Sequence, residues 1–545
     1  MHGAELLVPF AVLCVVGGLL VLAGRLTTPY PILLVVGGVL LGLVPGMPDV
    51  EVDPDVILLV ALPPLLYQAA FFSSLHEMRD NARPILSLAI GLVVATSAGV
   101  AVVAHEVAGL PWAPAFVLGA VLSPTDPIAA SAIASRLGAP RRFVTIVEGE
   151  SLVNDATGLT LYKLAVAAAV GSGVTLLGGA GTFVVNAVGG IAIGLVAAWL
   201  IARVRSRVHD APTEIVISLL SPYLAYLPAE AADVSAVLAA VTCGVVLGWR
   251  SPELVAPATR LQAFATWEVV VFAIEAAIFV LVGLSLPTVV QRIDGAALGS
   301  LVRDGAAVVA TVVAVRFAWT FVVGALPRLL RARLGRADGP PWVEVLLVAF
   351  TGMRGAVSVA AALALPLTAD AGDPLPGRDL IIFLTYVVVV VTVVGQGLAL
   401  PRLLRRIAPE GPGDQVEREE DEARVAAARA ALEHLDELGD DAGVPDRTLR
   451  RLRELYRFRL DRFSARLEGD GRDDLEDDSV AYQRVRHDLL ERERRAIIDL
   501  RDAGRITDDA RRRVEHDLDL DESRLEVSEG VGPHAASPLQ LGDGE

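Results

Sequence analysis

Ser123-Pro124-Thr125-Asp126-Pro127 stands in the middle of an apolar run that extends from about 112 to 134. A run of about 20 residues crosses a bilayer as helix, yet this one holds a carboxylate between two prolines at its centre. Each proline removes a backbone donor and blocks a continuing helix. An ionisable side chain at bilayer depth costs several kcal/mol, which marks it as a functional candidate. Such a break is tolerated only where it faces protein or a wet cavity, and secondary transporters build ion sites from broken helices. The plainer reading is a proline kink with Asp126 as an N-cap. Asp126 could do both.

The next apolar run, about 143–169, contains Glu148-Gly149-Glu150-Ser151-Leu152-Val153-Asn154-Asp155. Ser151 and Asp155 are four apart and share one helix face, while Glu150 and Asn154 share the neighbouring face. Oxygen ligands at this spacing suit a hard monovalent cation and do not suit zinc or copper. A carboxylate here can hold either a proton or a cation. Arg316 stands in another apolar run, about 302–325, and needs a partner because it stays charged; the acids of 148–155 are its candidates. Around 342–368, Thr351-Gly352-Met353-Arg354-Gly355-Ala356-Val357-Ser358 places glycines about a charge and predicts a second interrupted helix. Glu275 lies well inside a further run and reads as buried and paired.

Counted with a window of about 19 residues, the chain has thirteen candidate spans. They centre near 6–24, 30–46, 55–72, 84–104, 112–134, 143–169, 176–202, 212–229, 233–249, 264–286, 302–325, 342–368 and 379–400. The two broken segments are the fifth and the twelfth, each followed by one more span. That pairing is a pointer to inverted repeats. Every second connection is arginine-rich, from Arg25, Arg79 and Arg83 through to Arg402, Arg405 and Arg406, while the intervening ones hold Asp49, Glu51, Asp53, Glu230, Asp370 and Asp373. The positive-inside rule then places the N-terminus outside and the C-terminus in the cytoplasm. Glu5 stands where a leader peptide needs basic residues, so the first run reads as a retained span.

Composition agrees. Apolar residues make up 53% of 545, and mean hydropathy is +0.54, which excludes a simple soluble enzyme or a disordered chain. Cys14 and Cys243 both lie in apolar runs, so no disulfide framework is expected. The net charge of −17 is uneven: residues 1–408 carry 24 basic and 26 acidic side chains, and residues 409–545 carry 23 and 38. Neither part has the one-sided basic face of a nucleic-acid binder. The expectation is a transmembrane domain over 1–408, a charged helical domain over 409–527, and a disordered end over 528–545. Helices are expected at Glu417–Leu438, Leu449–Leu467 and Tyr482–Leu500, with an acidic break at Gly469–Asp478.

Together these segments resemble the monovalent cation:proton antiporters, the family of NhaP-type prokaryotic antiporters and animal sodium/proton exchangers. The likeness covers about 1–405. Glu150-Ser151-Leu152-Val153-Asn154-Asp155, one span after Thr125-Asp126-Pro127, resembles the family's Asn-Asp ion-site helix. Gly352-Met353-Arg354-Gly355-Ala356 resembles its crossing-helix arginine motif, and Glu275-Ala276-Ala277-Ile278-Phe279 with Gly283 and Ser285 resembles a third stretch.

The resemblance implies an all-α polytopic membrane protein with crossed broken helices, assembled as a homodimer from a dimerisation domain and a six-helix core. It implies that Asp155 binds cation and proton alternately. Asp126, Ser151 and the carbonyl of Thr125 would complete the site, Asn154 would orient it, and Arg316 would pair with Glu150. Arg354 and Glu275 would support it. Asn-Asp members are electroneutral as a rule, so one cation per proton is expected. Gln68 departs from the pattern, since an acid often stands there; it offers a carbonyl oxygen without charge.

Na⁺, Li⁺ and K⁺ are all candidate ions, no cofactor is implied, and a regulator could act on the tail. Two other classes have weaker support. A channel would show a pore loop or carbonyl filter. An aspartyl pair of Asp126 and Asp155 could make an intramembrane hydrolase, but the Thr-Asp-Pro and Asn-Asp settings do not favour it. H-E-x-x-H and the GxxxxGK[ST] loop are absent.

Overall fold

The computed structural model describes residues 17–18, 30–44, 54–127, 130–131, 134, 139–171, 176–208, 210–292, 298–325, 342–366, 368, 375–407, 412–438, 445–468, 472–503 and 505–528. The predicted first span lies outside them except for Gly17 and Gly18, as does the connection from 326 to 341.

The chain divides into two compact units, Met1–Ala408 and Pro409–Glu545. The first is built chiefly of helices among its described residues: α1 Tyr30–Gly42, α2 Pro54–Phe72, the short α3 Leu75–Asp80, and α4 Ala82–Glu106. α5 Trp112–Leu122, α6 Arg141–Val170, α7 Leu176–Arg205, α8 Ala211–Ala231, α9 Ala236–Leu254 and α10 Pro257–Arg292 follow. Then come α11 Leu298–Thr320, α12 Trp342–Phe350, α13 Ala356–Leu363 and α14 Arg378–Ile407. Among the described residues five helices are long and apolar enough to cross a bilayer. Large apolar side chains lie exposed along them, for example Val184, Val188, Leu195 and Trp199 on α7. Water would not favour that face, but acyl chains do. The molecule is an integral membrane protein.

Both proline- and glycine-marked segments interrupt their helices. α5 stops at Leu122, and Ser123–Pro127 leave helical geometry. α12 stops at Phe350, and residues 351–355 are non-helical before α13 begins. α4 carries a π turn at Ser87–Leu92; its Ser87 carbonyl accepts from Trp319 Nε1 on α11 at 3.2 Å.

The helices pack in two groups. α1, α2, α7, α8, α9 and α10 pack chiefly on one another, and α4, α5, α6, α11, α12, α13 and α14 form the other group. The first group is held by close backbone approach and a buried ion pair. A Cβ on Gly283 of α10 would meet Val39 N at 2.7 Å and the Gly38 Cα of α1 at 2.8 Å, the small-residue contact that lets membrane helices touch. Gly283→Val should therefore push α1 from α10 at a cost of about 1–3 kcal/mol. The thermal midpoint of the detergent-solubilised protein should fall; an unchanged midpoint would rule out this contact. Deeper in the same group Arg205 Nη2 donates to Glu214 Oε1 at 3.2 Å, both side chains being almost fully buried. At the N-terminus of α8 the Asp210 carboxylate accepts from Thr213 N at 3.1 Å and Thr213 Oγ1 at 2.7 Å, bonds that hold its pKa below the ordinary value. Lys163 of α6 donates to Glu230 of α8 at 3.1 Å, one of the exposed ties between the groups.

The second unit holds α15 Pro412–Leu438, α16 Asp446–Glu468, α17 Arg472–Asp502 and α18 Asp508–Ser528. α15 pairs with α16 and α17 with α18. Two expectations need correction. The acidic stretch ending at Asp478 is helical from Arg472 onward, because acids in the first turns of a helix meet its positive dipole end. A fourth helix, α18, extends the unit; Thr507 Oγ1 caps it by accepting from Ala510 N at 3.2 Å. The predicted disordered end lies outside the described residues beyond Ser528.

Candidate ion site

The two interruptions cross. The Asp126 backbone N–H donates to the Met353 carbonyl at 2.8 Å, so each break satisfies a group that the other leaves without a helical partner. Gly355 precedes α13 and lies so close to the Asp126 carboxylate that a Cβ would overlap it. The carboxylate is thereby set at the N-terminus of α13, where helix amides and dipole favour an anion. Gly158 of α6 likewise admits the ring of Pro124, which a Cβ would strike.

Behind the crossing lies a continuous buried network. Arg316 Nη1 and Nη2 donate to Glu150 Oε1 and Oε2 at 2.6 and 3.0 Å, with 1% of each side chain exposed. Arg316 Nε donates to the Val348 carbonyl at the end of α12, at 3.1 Å. Thr125 Oγ1 donates to Glu150 Oε1 at 3.0 Å and accepts from Asn154 Nδ2 at 2.7 Å. Because an ionised carboxylate only accepts, the Thr125 proton is committed to it and Asn154 must present its NH₂. The Asn154 Oδ1 is left buried without a partner among the described residues.

Arg354 is 1% exposed. Its Nε donates to the Leu122 carbonyl at 2.9 Å, its Nη1 to the Gly352 carbonyl, and its own backbone N–H to Thr392 Oγ1 at 3.1 Å. A guanidinium at the last carbonyl of α5 offsets the negative end of that half-helix. No carboxylate pairs with it among the described residues.

In front of the crossing is a cavity of about 280 Å³ between the two helix groups. α2 contributes Gln68, α6 contributes Glu148, Ser151 and Asp155, and α10 contributes Glu275. Thr125, Asp126 and Ser131 line it from the first break, and Gly355 and Ser358 from the second. Asp155 is 6% exposed, and among the described residues no hydrogen bond or ion pair reaches its carboxylate. Glu275 accepts a hydrogen bond from the Tyr30 hydroxyl of α1, and Glu268, about two turns away on α10, is exposed.

The residues singled out in the sequence thus fall into two sets. Asp155, Asp126, Thr125, Ser151, Glu275 and Gln68 face the cavity; Asn154, Glu150, Arg316 and Arg354 stand behind it. Glu148, Ser131 and Ser358 also line it and were not picked out. Glu148 could have been: it precedes Asp155 by seven residues, two helical turns, and so shares its face.

Interrupted helices crossing beside buried carboxylates, within an apolar helical unit, define an ion-transporting membrane protein. The family model described as sodium/hydrogen exchanger, transmembrane, matches residues 11–406, and the chain belongs to that family. It is 38% identical over 495 residues to an uncharacterized Na⁺/H⁺ exchanger of Mycobacterium tuberculosis, covering 89% of this chain and 90% of the relative. It is 32% identical over 366 residues to the sodium, potassium, lithium and rubidium/H⁺ antiporter of Bacillus subtilis, covering 65% of this chain and 54% of that one. The fold is similar to that of the sodium proton antiporter MjNhaP1 of Methanocaldococcus jannaschii, with a TM-score of 0.57 at 18% identity, over 74% of this chain and 100% of the other. The chain thus belongs to the monovalent cation:proton antiporters, a family of transporters.

Proposed function

We propose that this protein exchanges one monovalent cation for one proton, the two competing for the carboxylate of Asp155. The observation that carries this reading is a buried Asp155, without a hydrogen-bond or ion-pair partner among the described residues, facing a cavity it shares with Asp126, Ser151 and Thr125. The polar side chains that share the cavity with it, among them Asp126, Ser151, Thr125, Gln68 and Glu275, all offer oxygen donors, as a hard cation needs. Asn154 contributes no charge, so a site that swaps one cation for one proton moves no net charge. Na⁺ is the proposed ion, with Li⁺ and K⁺ as alternatives. Gln68 offers a neutral oxygen where a carboxylate would bind small cations more tightly.

The cavity lies between the two helix groups, so rocking of one against the other would carry Asp155 from one side to the other. Its lining runs from the helix middles at Leu62, Asp155 and Glu275 towards Phe72, Glu148 and Val271. Those last three lie towards the arginine-rich connections, the cytoplasmic side in the orientation proposed here: plasma membrane, N-terminus outside, second unit inside. Two copies would assemble as a homodimer through the group containing α1 and α7, and the four-helix second unit would receive any cytoplasmic regulator.

The test is proton flux in vesicles carrying the protein, read with a pH-sensitive dye, adding Na⁺, Li⁺ or K⁺ with and without a clamped potential. Cation-dependent collapse of the pH gradient that ignores the potential is expected. Collapse that follows the potential would refute the one-to-one stoichiometry. Currents at channel rates would favour a cation channel instead.

A further inference from the structure

Among the described residues, Glu77, Glu344 and Glu148 stand near the arginine-rich end of α6, and the first two are neutralised. Glu77 bonds Arg141 at 2.6 Å and accepts from Thr145 Oγ1 at 2.6 Å. Glu344 pairs with Arg142 at 3.1 Å. The third, Glu148, lines the cavity, and among the described residues no arginine or lysine pairs with it.

Its position on the helix is specific. Thr145, Glu148, Ser151 and Asp155 are spaced by three, three and four residues, so they form one stripe. Seven residues of helix separate Glu148 from Asp155 by about 10.5 Å along the axis. Ser151 lies between them, 7% exposed, facing the cavity with no hydrogen-bond partner among the described residues. Glu148 itself is only half-buried, as a group at the mouth of a path would be, whereas Asp155 is at its depth.

We propose that Glu148 is the first carboxylate a monovalent cation meets on its way from the arginine-rich side to Asp155, and that its charge sets cation affinity on that side. The inference rests on the reading of Asp155 as the exchange residue. A single negative charge between low-dielectric walls concentrates cations near it. The cation keeps part of its water there and passes by the Ser151 hydroxyl to the deeper carboxylate. Glu77 and Glu344 cannot substitute, because each is already matched by an arginine.

The experiment compares Glu148→Gln with the wild type in everted vesicles, which present that face to the medium, and in right-side-out vesicles, with Na⁺ as the probe. Glu148→Gln keeps the shape and removes the charge. The half-saturating Na⁺ concentration should rise about five- to tenfold in everted vesicles, a larger change than any fall in maximal rate. In right-side-out vesicles it should stay within about twofold. Glu148→Asp should recover most of the affinity. An unchanged half-saturation in everted vesicles, or an equal loss at both faces, overturns the proposal while leaving Asp155 in place. A wild type without cation-dependent proton flux overturns both.

Discussion

Asp155→Asn should reduce cation-coupled proton flux about a hundredfold or more while the protein remains folded. The substitution is nearly isosteric, and no hydrogen bond or ion pair among the described residues depends on the Asp155 carboxylate, so nothing in the packing has to be rebuilt. What disappears is the group that takes up a proton or releases it for a cation. The sign in the wild type follows from that competition. Raising the pH removes the proton from Asp155 and favours the cation; lowering it fills Asp155 and expels the cation. The half-saturating cation concentration should therefore fall with rising pH, by about tenfold per unit where the protonated form dominates. Dye-quench assays over a pH series, with size-exclusion chromatography of the variant, check both points. Retained exchange in Asp155→Asn would remove this residue from the mechanism.

Arg316→Ala should be the most destabilising of the single changes discussed here. It strips both hydrogen-bonding guanidinium arms from Glu150 and leaves a carboxylate that is 1% exposed without its cation. Breaking one side of a buried pair costs about 3–5 kcal/mol. The damage should travel, since Glu150 also accepts from Thr125, which orients Asn154 next to Asp155. Replacing both partners, as Arg316→Met with Glu150→Met, leaves no orphaned charge and should recover more than half of the lost stability. Thermal unfolding in detergent distinguishes the cases. An Arg316→Ala variant as stable as the wild type would mean that the pair does not hold the two broken segments.

Much of this arrangement was legible in local patterns. Two prolines about Asp126 and glycines about Arg354 mark helices that cannot continue, and both are interrupted. The spacing within Glu150–Asp155 separates one face for the cavity from one for Arg316, because helix periodicity is a local property. Other features depend on contacts that no local pattern records. Among the described residues the side-chain partners of Arg354 are the carbonyls of Leu122 and Gly352, not an acid, and a backbone acceptor leaves no signature in sequence. Gly355 is small because Asp126 packs against it from 229 residues away. Glu148 shares a helix face with Asp155 in the sequence alone, but the pairing of its acidic neighbours with arginines is visible only in the structure. In the second unit, α18 carries only a thin apolar face at Ala510, Val514 and Leu518 among mostly charged residues, a weak signal in sequence.

The tie between Lys163 and Glu230 has a practical side. Lys163 is the one lysine in the 545 residues, so its ε-amine is unique among the side chains. It is 55% exposed and sits on the same helix as Asp155, facing a residue of the other helix group. An amine-directed fluorophore at neutral to alkaline pH would mark the side chains at one position of the helix that carries Asp155, without engineering cysteines into a chain whose Cys243 is buried. The molecule therefore comes with its own labelling site, whose emission reports on the surroundings of the Lys163–Glu230 contact when a cation is added.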